Sequence, residues 1–107
     1  MARTALVFFN NIEAGKLIEQ DAGYVFEYND DYFQNAALPA ISLSLPKTIK
    51  VYESRFLFPF FFGLLAEGEN KEIQCRMLKI DENDHFTRLI KTAHSNTIGA
   101  ITVREAK

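Results

Sequence analysis

Residue types that mark several classes of protein are scarce in this chain. Its 107 residues include a single cysteine, Cys75, so no disulfide can form within the chain and secretion is not indicated. Tryptophan is absent, and 12 Lys and Arg are interspersed with 14 Asp and Glu without a basic run. Because nucleic-acid binding depends on concentrated positive charge, we do not expect this chain alone to bind DNA or RNA.

Long hydrophobic runs are also missing. The longest apolar segment, residues 56–66, has only 11 residues and is interrupted by Pro59. A membrane-spanning helix needs about 20 apolar residues. The first four residues lead directly into a strand-like segment, so we expect no signal peptide. We therefore expect a cytoplasmic protein that makes no contact with a membrane.

The overall composition is that of one globular domain. Hydrophobic residues make up 48% of the chain and charged residues 24%, which is an ordinary balance for a folded protein. A length of 107 residues predicts a single domain, residues 1–107. Ten Phe and four Tyr are more unusual and provide apolar surface beyond that of an average small core.

Strand-like segments dominate the first half of the chain. Residues 5–9 and 16–20 are rich in β-forming residues around a polar turn, which predicts a hairpin, and residues 24–28 predict a third strand. Residues 41–45 alternate strictly between apolar and polar side chains, which predicts a half-buried strand with Ile41, Leu43 and Leu45 facing the core. Residues 49–52 indicate a further short strand.

Helical periodicity appears in the second half. Pro59 suits a first helical turn, Phe61, Leu64 and Leu65 form one stripe, and Gly68 ends or bends that helix. Residues 71–78 predict a second helix. A third helix is predicted to begin at Asn83 or Asp84, because the apolar residues that follow align on one helical face. Residues 98–103 predict a final strand. The fold class is therefore α+β, a small, mostly antiparallel sheet with about three helices on one face. The expected core consists of Ile41, Leu43, Leu45, Phe61, Leu64, Phe86, Leu89 and Ile90.

The titratable residues do not show the sequence spacing of a catalytic or metal-binding motif. His85 and His94 are nine positions apart, which does not match the spacing of a helical metal pair. Cys75 has no nearby histidine in sequence to serve as its base, and residues 81–84 begin like a calcium loop but lack its glycine and closing glutamate. We expect no enzyme activity, no metal and no cofactor.

An aromatic cluster is the most conspicuous local feature. Five phenylalanines lie between residues 56 and 62, and helical periodicity spreads them around an axis so that they cannot share one stripe. Two interpretations remain open. The sheet and loops can bury the whole cluster, or one or two of its rings can reach a partner surface, where exposed aromatics often dominate binding.

An ordered set of short motifs covers most of the chain. In sequence order they are Leu43-Ser44-Leu45-Pro46, Phe60-Phe61, Leu64-Leu65-Ala66-Glu67-Gly68, Asp84-His85-Phe86 and Gly99-Ala100-Ile101-Thr102-Val103. This order resembles the amino-terminal subdomain of the HipA-like serine/threonine kinases. Two positions depart from the family pattern, because Ala66 stands where proline is usual and Glu69 where an aromatic residue is common.

A separate copy of this subdomain resembles the HipS antitoxins of the tripartite HipB–HipS–HipT toxin–antitoxin systems. The resemblance implies that the chain binds and inhibits a HipT-like serine/threonine kinase. It also implies a complex with a HipB-like helix-turn-helix protein, which supplies DNA binding. A docking or folding subunit that does not inhibit the kinase is the alternative, and an enzyme of unrecognised type is a more distant one.

The exit of the first predicted helix is the candidate partner-binding segment. It joins an apolar stripe to a polar loop, and loops on rigid scaffolds often carry binding. The segment consists of Leu65, Ala66, Glu67, Gly68 and Glu69. A helix C-cap built on Gly68 is the alternative interpretation.

Overall fold

The computed structural model describes residues 3–65, 68–93 and 100–106. Five strands form one sheet in the order β4-β3-β2-β1-β5, with every neighbouring pair antiparallel. The predicted α+β class is thereby confirmed. The elements in chain order are β1 Arg3–Phe9, β2 Ile12–Gln20, β3 Gly23–Tyr28, α1 Asp30–Gln34, β4 Val51–Ser54, α2 Pro59–Phe62, α3 Gly68–Leu78, α4 His85–Thr92 and β5 Ile101–Glu105.

The predicted hairpin is formed by β1 and β2, with a tighter turn than expected. Asn10 and Asn11 make the connection, with φ values of 47° and 68°. Asparagine tolerates this left-handed region better than most residues, which suits a two-residue hairpin turn. β2 therefore begins at Ile12, earlier than the predicted residue 16.

The third predicted strand is confirmed as β3, and its inward face is aromatic. Phe26 and Tyr28 are fully buried, and Tyr24 is partly buried against the same core. Gly15 on β2 pairs with Tyr28, and a Cβ at Gly15 would lie 2.3 Å from the carbonyl oxygen of Glu27. The absence of a side chain at position 15 thus lets the two strands approach closely.

The strand predicted at residues 41–45 is wrong, and the segment is a loop. Ile41 and Leu45 are buried as expected, but Leu43 is 102% exposed and contributes nothing to the core. The Ser42 hydroxyl accepts a hydrogen bond from the Ser44 amide at 3.2 Å, and the Leu45 amide donates to the Ser42 carbonyl at 3.1 Å. These local bonds fold the backbone into a turn and replace a strand ladder.

The remaining strands occupy the two edges of the sheet. The predicted strand at residues 49–52 is displaced to β4, Val51–Ser54, which pairs with β3. The final strand returns to the sheet beside β1, as Val103 pairs with Val7. The described part of that strand is Ile101–Glu105, and residues 98 and 99 of the prediction lie outside the described residues.

The helices differ from the predictions mainly in their ends. α2 is a single turn that ends at Phe62, with Gly63 as its C-cap, so the predicted helix from Pro59 to Gly68 is too long. Gly68 begins α3 and does not end the preceding helix. α1, which was not predicted, follows Asn29 with two acidic residues in its first turn.

The predicted start of α4 is confirmed at Asp84. Its side chain accepts a hydrogen bond from the Thr87 amide at 3.1 Å, which satisfies one free donor at the start of the helix. Arg3 at the start of β1 donates to the same carboxylate at 2.9 Å and to Glu19 on β2. The Arg3 guanidinium also lies 4.9 Å from the centre of the Phe86 ring. This group of contacts ties α4 to the first two strands.

The core lies on the face of the sheet that carries Val7, Leu17 and Phe26. α1, α2 and α4 contribute Tyr32, Phe61 and Phe86 to the same buried cluster. Of the predicted core residues, Leu43 is exposed and Leu64 only partly buried, while the others are buried: Ile41, Leu45, Phe61, Phe86, Leu89 and Ile90.

Candidate partner-binding surface

The nominated segment joins α2 to α3. Leu65 is buried in the core cluster, and its amide donates to the Phe62 carbonyl at 3.1 Å. Ala66 and Glu67 lie outside the described residues, and Gly68 and Glu69 form the first two positions of α3. The alternative of a C-cap on Gly68 is therefore wrong. The described part of the segment therefore consists of one core residue, Leu65, and the first two positions of α3.

The aromatic cluster divides between core and surface. Phe58 and Phe61 are buried, and Phe60 is partly buried against them. Phe56 is 76% exposed and Phe62 39% exposed. Two rings thus reach solvent beside the core, as one of the two interpretations of the cluster requires.

Helix α3 has apolar side chains on opposite sides. Cys75 is buried, whereas Ile73 and Met77 are exposed. Each lies two residues from Cys75, about 200° around an α-helix, so both point away from the domain. Leu78 at the end of the helix is also exposed. α3 therefore presents an uncovered apolar side to solvent.

His85 lies at the start of α4 beside the exposed aromatic Phe62. The two ring centres are 5.0 Å apart in an edge-to-face arrangement, and the His85 Nδ1 atom is 3.4 Å from Arg88 Nη1. Partial burial lowers the pKa of His85, and the positive charges of Arg88 and Lys71 lower it further. The imidazole is consequently held toward its neutral form.

The loop between α1 and β4, residues 36–50, contains no helix or strand and is held by side-chain hydrogen bonds to its backbone. The buried Tyr28 hydroxyl accepts from the Ile41 amide at 3.1 Å and donates to the Leu45 carbonyl. The Tyr32 hydroxyl donates to the Pro39 carbonyl at 2.6 Å. Lys47 donates to the Asn35 carbonyl at 2.6 Å and to the Leu38 carbonyl at 2.8 Å, with its ammonium 5.0 Å from the Tyr32 ring centre.

The sequence pattern did not predict this loop. Four residues nevertheless favour a loop over a strand here: the prolines at 39 and 46 and the serines at 42 and 44. Proline lacks the amide that a strand ladder uses, and serine hydroxyls compete for neighbouring backbone groups. The tyrosines that hold the loop are remote in sequence and could not be assigned to it from periodicity.

Groups able to perform chemistry do not converge in the described part of the chain. No cluster of three or more His, Cys, Asp or Glu suited to a metal ion occurs among the described residues. Cys75 is buried on α3, and His94 lies outside the described residues. Across the same residues, no helix is both long and apolar enough to cross a membrane.

The class defined by the described residues is a small α+β domain with exposed apolar side chains suited to protein contact and without assembled catalytic groups. The chain belongs to the HipA N-terminal domain family, whose model matches residues 5–104.

Two relatives support this assignment. An uncharacterized protein of Haemophilus influenzae is 35% identical over 107 residues, with 100% of this chain and 96% of that protein covered. A solved structure described as the N-terminal domain of HipA toxin matches with a TM-score of 0.74 and 31% identity, covering 98% of this chain and 93% of that one.

Proposed function

We propose that this chain is an antitoxin that binds a HipA-like (HipT-like) serine/threonine kinase toxin and inhibits it. The complex would include a HipB-like helix-turn-helix protein, which contacts DNA. The observation that carries the proposal is the match of the HipA N-terminal domain family along residues 5–104. The Haemophilus influenzae relative has nearly the same length, which supports a role for this domain as a separate protein.

Exposed apolar side chains support the binding part of the proposal. A domain attached covalently to its neighbour docks at high effective concentration, whereas a separate one must bind through its own contacts. Such contacts are usually a few large apolar or aromatic anchors. Phe56, Phe62 and Met77 are exposed side chains of this kind.

The nominated segment, Leu65, Ala66, Glu67, Gly68 and Glu69, is the proposed kinase contact. Buried Leu65 fixes one end to the core, and α3, with its uncovered apolar side, starts at the other end. A partner that covers this side of α3 would reach the segment as well.

Charge substitutions test the proposed contact. We expect Glu67→Ala and Glu69→Lys to weaken kinase binding by about tenfold, or roughly 1.4 kcal/mol. Glu105→Lys on the exposed end of β5 is the matched charge control and should bind like wild type. Circular dichroism verifies the fold of each protein, and affinities come from calorimetry with the kinase. Wild-type affinity in both folded segment variants would exclude this contact.

The proposed role needs no chemistry from the chain itself. We propose that it is a single cytoplasmic domain, residues 1–107, without enzyme activity, cofactor, or direct contact with nucleic acid or membrane. Membership of the HipA N-terminal domain family supports the part of this proposal that concerns enzyme activity.

Co-expression tests the antitoxin role. A HipA-like kinase that lacks its own N-terminal domain is induced with and without this chain, and growth is followed. Restored growth supports the proposal, provided that kinase abundance is equal in both cultures. If the chain binds the kinase but toxicity persists, the non-inhibitory docking or folding subunit is the correct function. If the chain does not bind, the kinase partnership itself is wrong.

A further inference from the structure

Leu43 is the most exposed large apolar side chain among the described residues. It is 102% exposed, whereas Ile41 and Leu45, two positions to either side, are buried in the core cluster. A turn between two core anchors therefore holds this side chain out in solvent. Such a position contributes almost nothing to folding stability.

The backbone that carries Leu43 is fixed from both sides. Tyr28, itself fully buried, bonds the Ile41 amide before Leu43 and the Leu45 carbonyl after it. The Ser42 and Ser44 hydroxyls, 2.9 Å apart, close the turn between them. Because this conformation exists before any partner arrives, little additional ordering entropy opposes binding by the loop.

We propose that Leu43 is an anchor residue that inserts into an apolar pocket on the HipA-like kinase, a proposal that rests on the antitoxin function above. The solved relative is described as the N-terminal domain of HipA toxin, and a HipA-like kinase is the partner proposed above for this chain. A fully exposed leucine on a fixed loop suits a pocket of leucine size.

The absence of charged side chains around Leu43 favours a protein pocket over a nucleic acid or a membrane as its binding partner. Residues 38–46 contain no charged side chain, and the next residue, Lys47, is bonded to carbonyls within the domain. Nucleic acids and anionic membranes require cationic surfaces, which this segment does not provide. An uncharged apolar tip gains binding energy mainly by entering an apolar site.

A second copy of this chain is a less suitable occupant. One cleft of the described surface is lined mainly by charged and polar side chains, among them Glu72, Arg76 and Asp81. Inserting leucine into a cleft with charged walls would remove water from those charges without replacing its hydrogen bonds.

Substitutions at exposed positions test the proposal by calorimetry with a HipA-like kinase that lacks its own N-terminal domain. We expect Leu43→Ser to weaken binding by about 10- to 100-fold and Leu43→Met to retain affinity within about threefold. Ile12→Ser removes another exposed apolar side chain, 45% exposed at the start of β2, and should bind like wild type. Each variant should melt within about 2 °C of wild type, because none loses core contacts.

The outcomes separate this proposal from the antitoxin function. If wild type binds and Leu43→Ser binds equally well, the anchor is wrong while the kinase partnership stands. If wild type does not bind, both proposals are overturned. Analytical sedimentation of the chain alone measures whether it forms a dimer. A dimer that Leu43→Ser dissociates would identify a second copy as the occupant and overturn the kinase pocket.

Discussion

Replacing Tyr28 by phenylalanine tests how the loop around Leu43 is held. The substitution removes one oxygen atom and leaves the ring, which stacks on Tyr32 at 5.9 Å and meets Phe26 edge-on at 4.8 Å. Burial raises the pKa of Tyr28 to about 12, although the bond from the Ile41 amide opposes that rise. The hydroxyl therefore stays protonated at neutral pH and can donate to the Leu45 carbonyl.

The expected cost follows from the two backbone groups that lose their partner. Both hydrogen bonds of the Tyr28 hydroxyl are buried, so the Ile41 amide and the Leu45 carbonyl would be left unsatisfied away from water. An unsatisfied buried group costs about 1–3 kcal/mol. Allowing for partial relaxation of the loop, we expect the free energy of unfolding to fall by about 2–4 kcal/mol.

Tyr52→Phe is the matched control. The Tyr52 hydroxyl also donates to a loop carbonyl, that of Pro46, but this bond is exposed and water can replace it. Its loss should cost less than about 1 kcal/mol. Urea unfolding followed by far-ultraviolet circular dichroism measures both variants. Equal losses in the two variants, or a loss below about 1 kcal/mol for Tyr28→Phe, would refute this account of the loop.

Two further predictions concern α4. Phe86→Ala should lower the free energy of unfolding by about 3–5 kcal/mol, because Phe86 is only 1% exposed and lies in the core. A loss below about 1 kcal/mol, measured by urea titration, would contradict that burial. Asp84→Ala should cost about 1 kcal/mol at pH 7 through loss of the helix cap. Partial burial alone would raise the pKa of Asp84, but hydrogen bonds from Arg3 and Thr87 outweigh it and hold the pKa below its usual value. The stability that depends on the charge of Asp84 is present above its pKa in the unfolded chain, about 3.9. It is lost as the pH falls through the lower pKa of Asp84 in the folded protein. The urea midpoints of wild type and variant should therefore converge below about pH 4. A difference that stays constant from pH 7 to pH 3 would show that the charge of Asp84 is unimportant.

Local patterns predicted the parts of the fold in which one physical signal dominates. The β-forming residues 24–28 predicted strand β3, and the spacing of Phe86 and Leu89 gave the buried face of α4. In both elements, periodic apolar residues coincide with suitable turn or cap residues at the ends. Local propensity and tertiary burial then favour the same structure.

The loop at residues 41–45 shows where a pattern misleads. Alternation of apolar and polar residues predicts a strand only if a neighbouring strand is available to complete the ladder. Here Tyr28 supplies the bonds to Ile41 and Leu45, and the Ser42 turn directs Leu43 outward. The deciding partner lies 13 to 17 positions away in sequence, beyond the reach of a local pattern.

The candidate site was predictable only in part. Its aromatic richness is evident from composition, but the sequence does not say that Phe56 is exposed and Phe58 buried. Both residues precede the single turn of α2, where no helical period assigns their faces. The apolar side of α3 was similarly ambiguous, because Ile73 and Met77 lie on one stripe that is equally suited to a core or to a partner.

Direct titration of a HipA-like kinase with this chain tests the central claim of inhibition. Purified kinase lacking its own N-terminal domain is incubated with radiolabelled ATP, and phosphate incorporation is measured as the chain is added. The antitoxin account predicts that incorporation falls in proportion to the chain added and is nearly abolished at stoichiometric amounts. Phosphorylation that is unchanged at saturating excess, with complex formation verified in the same samples, would contradict it.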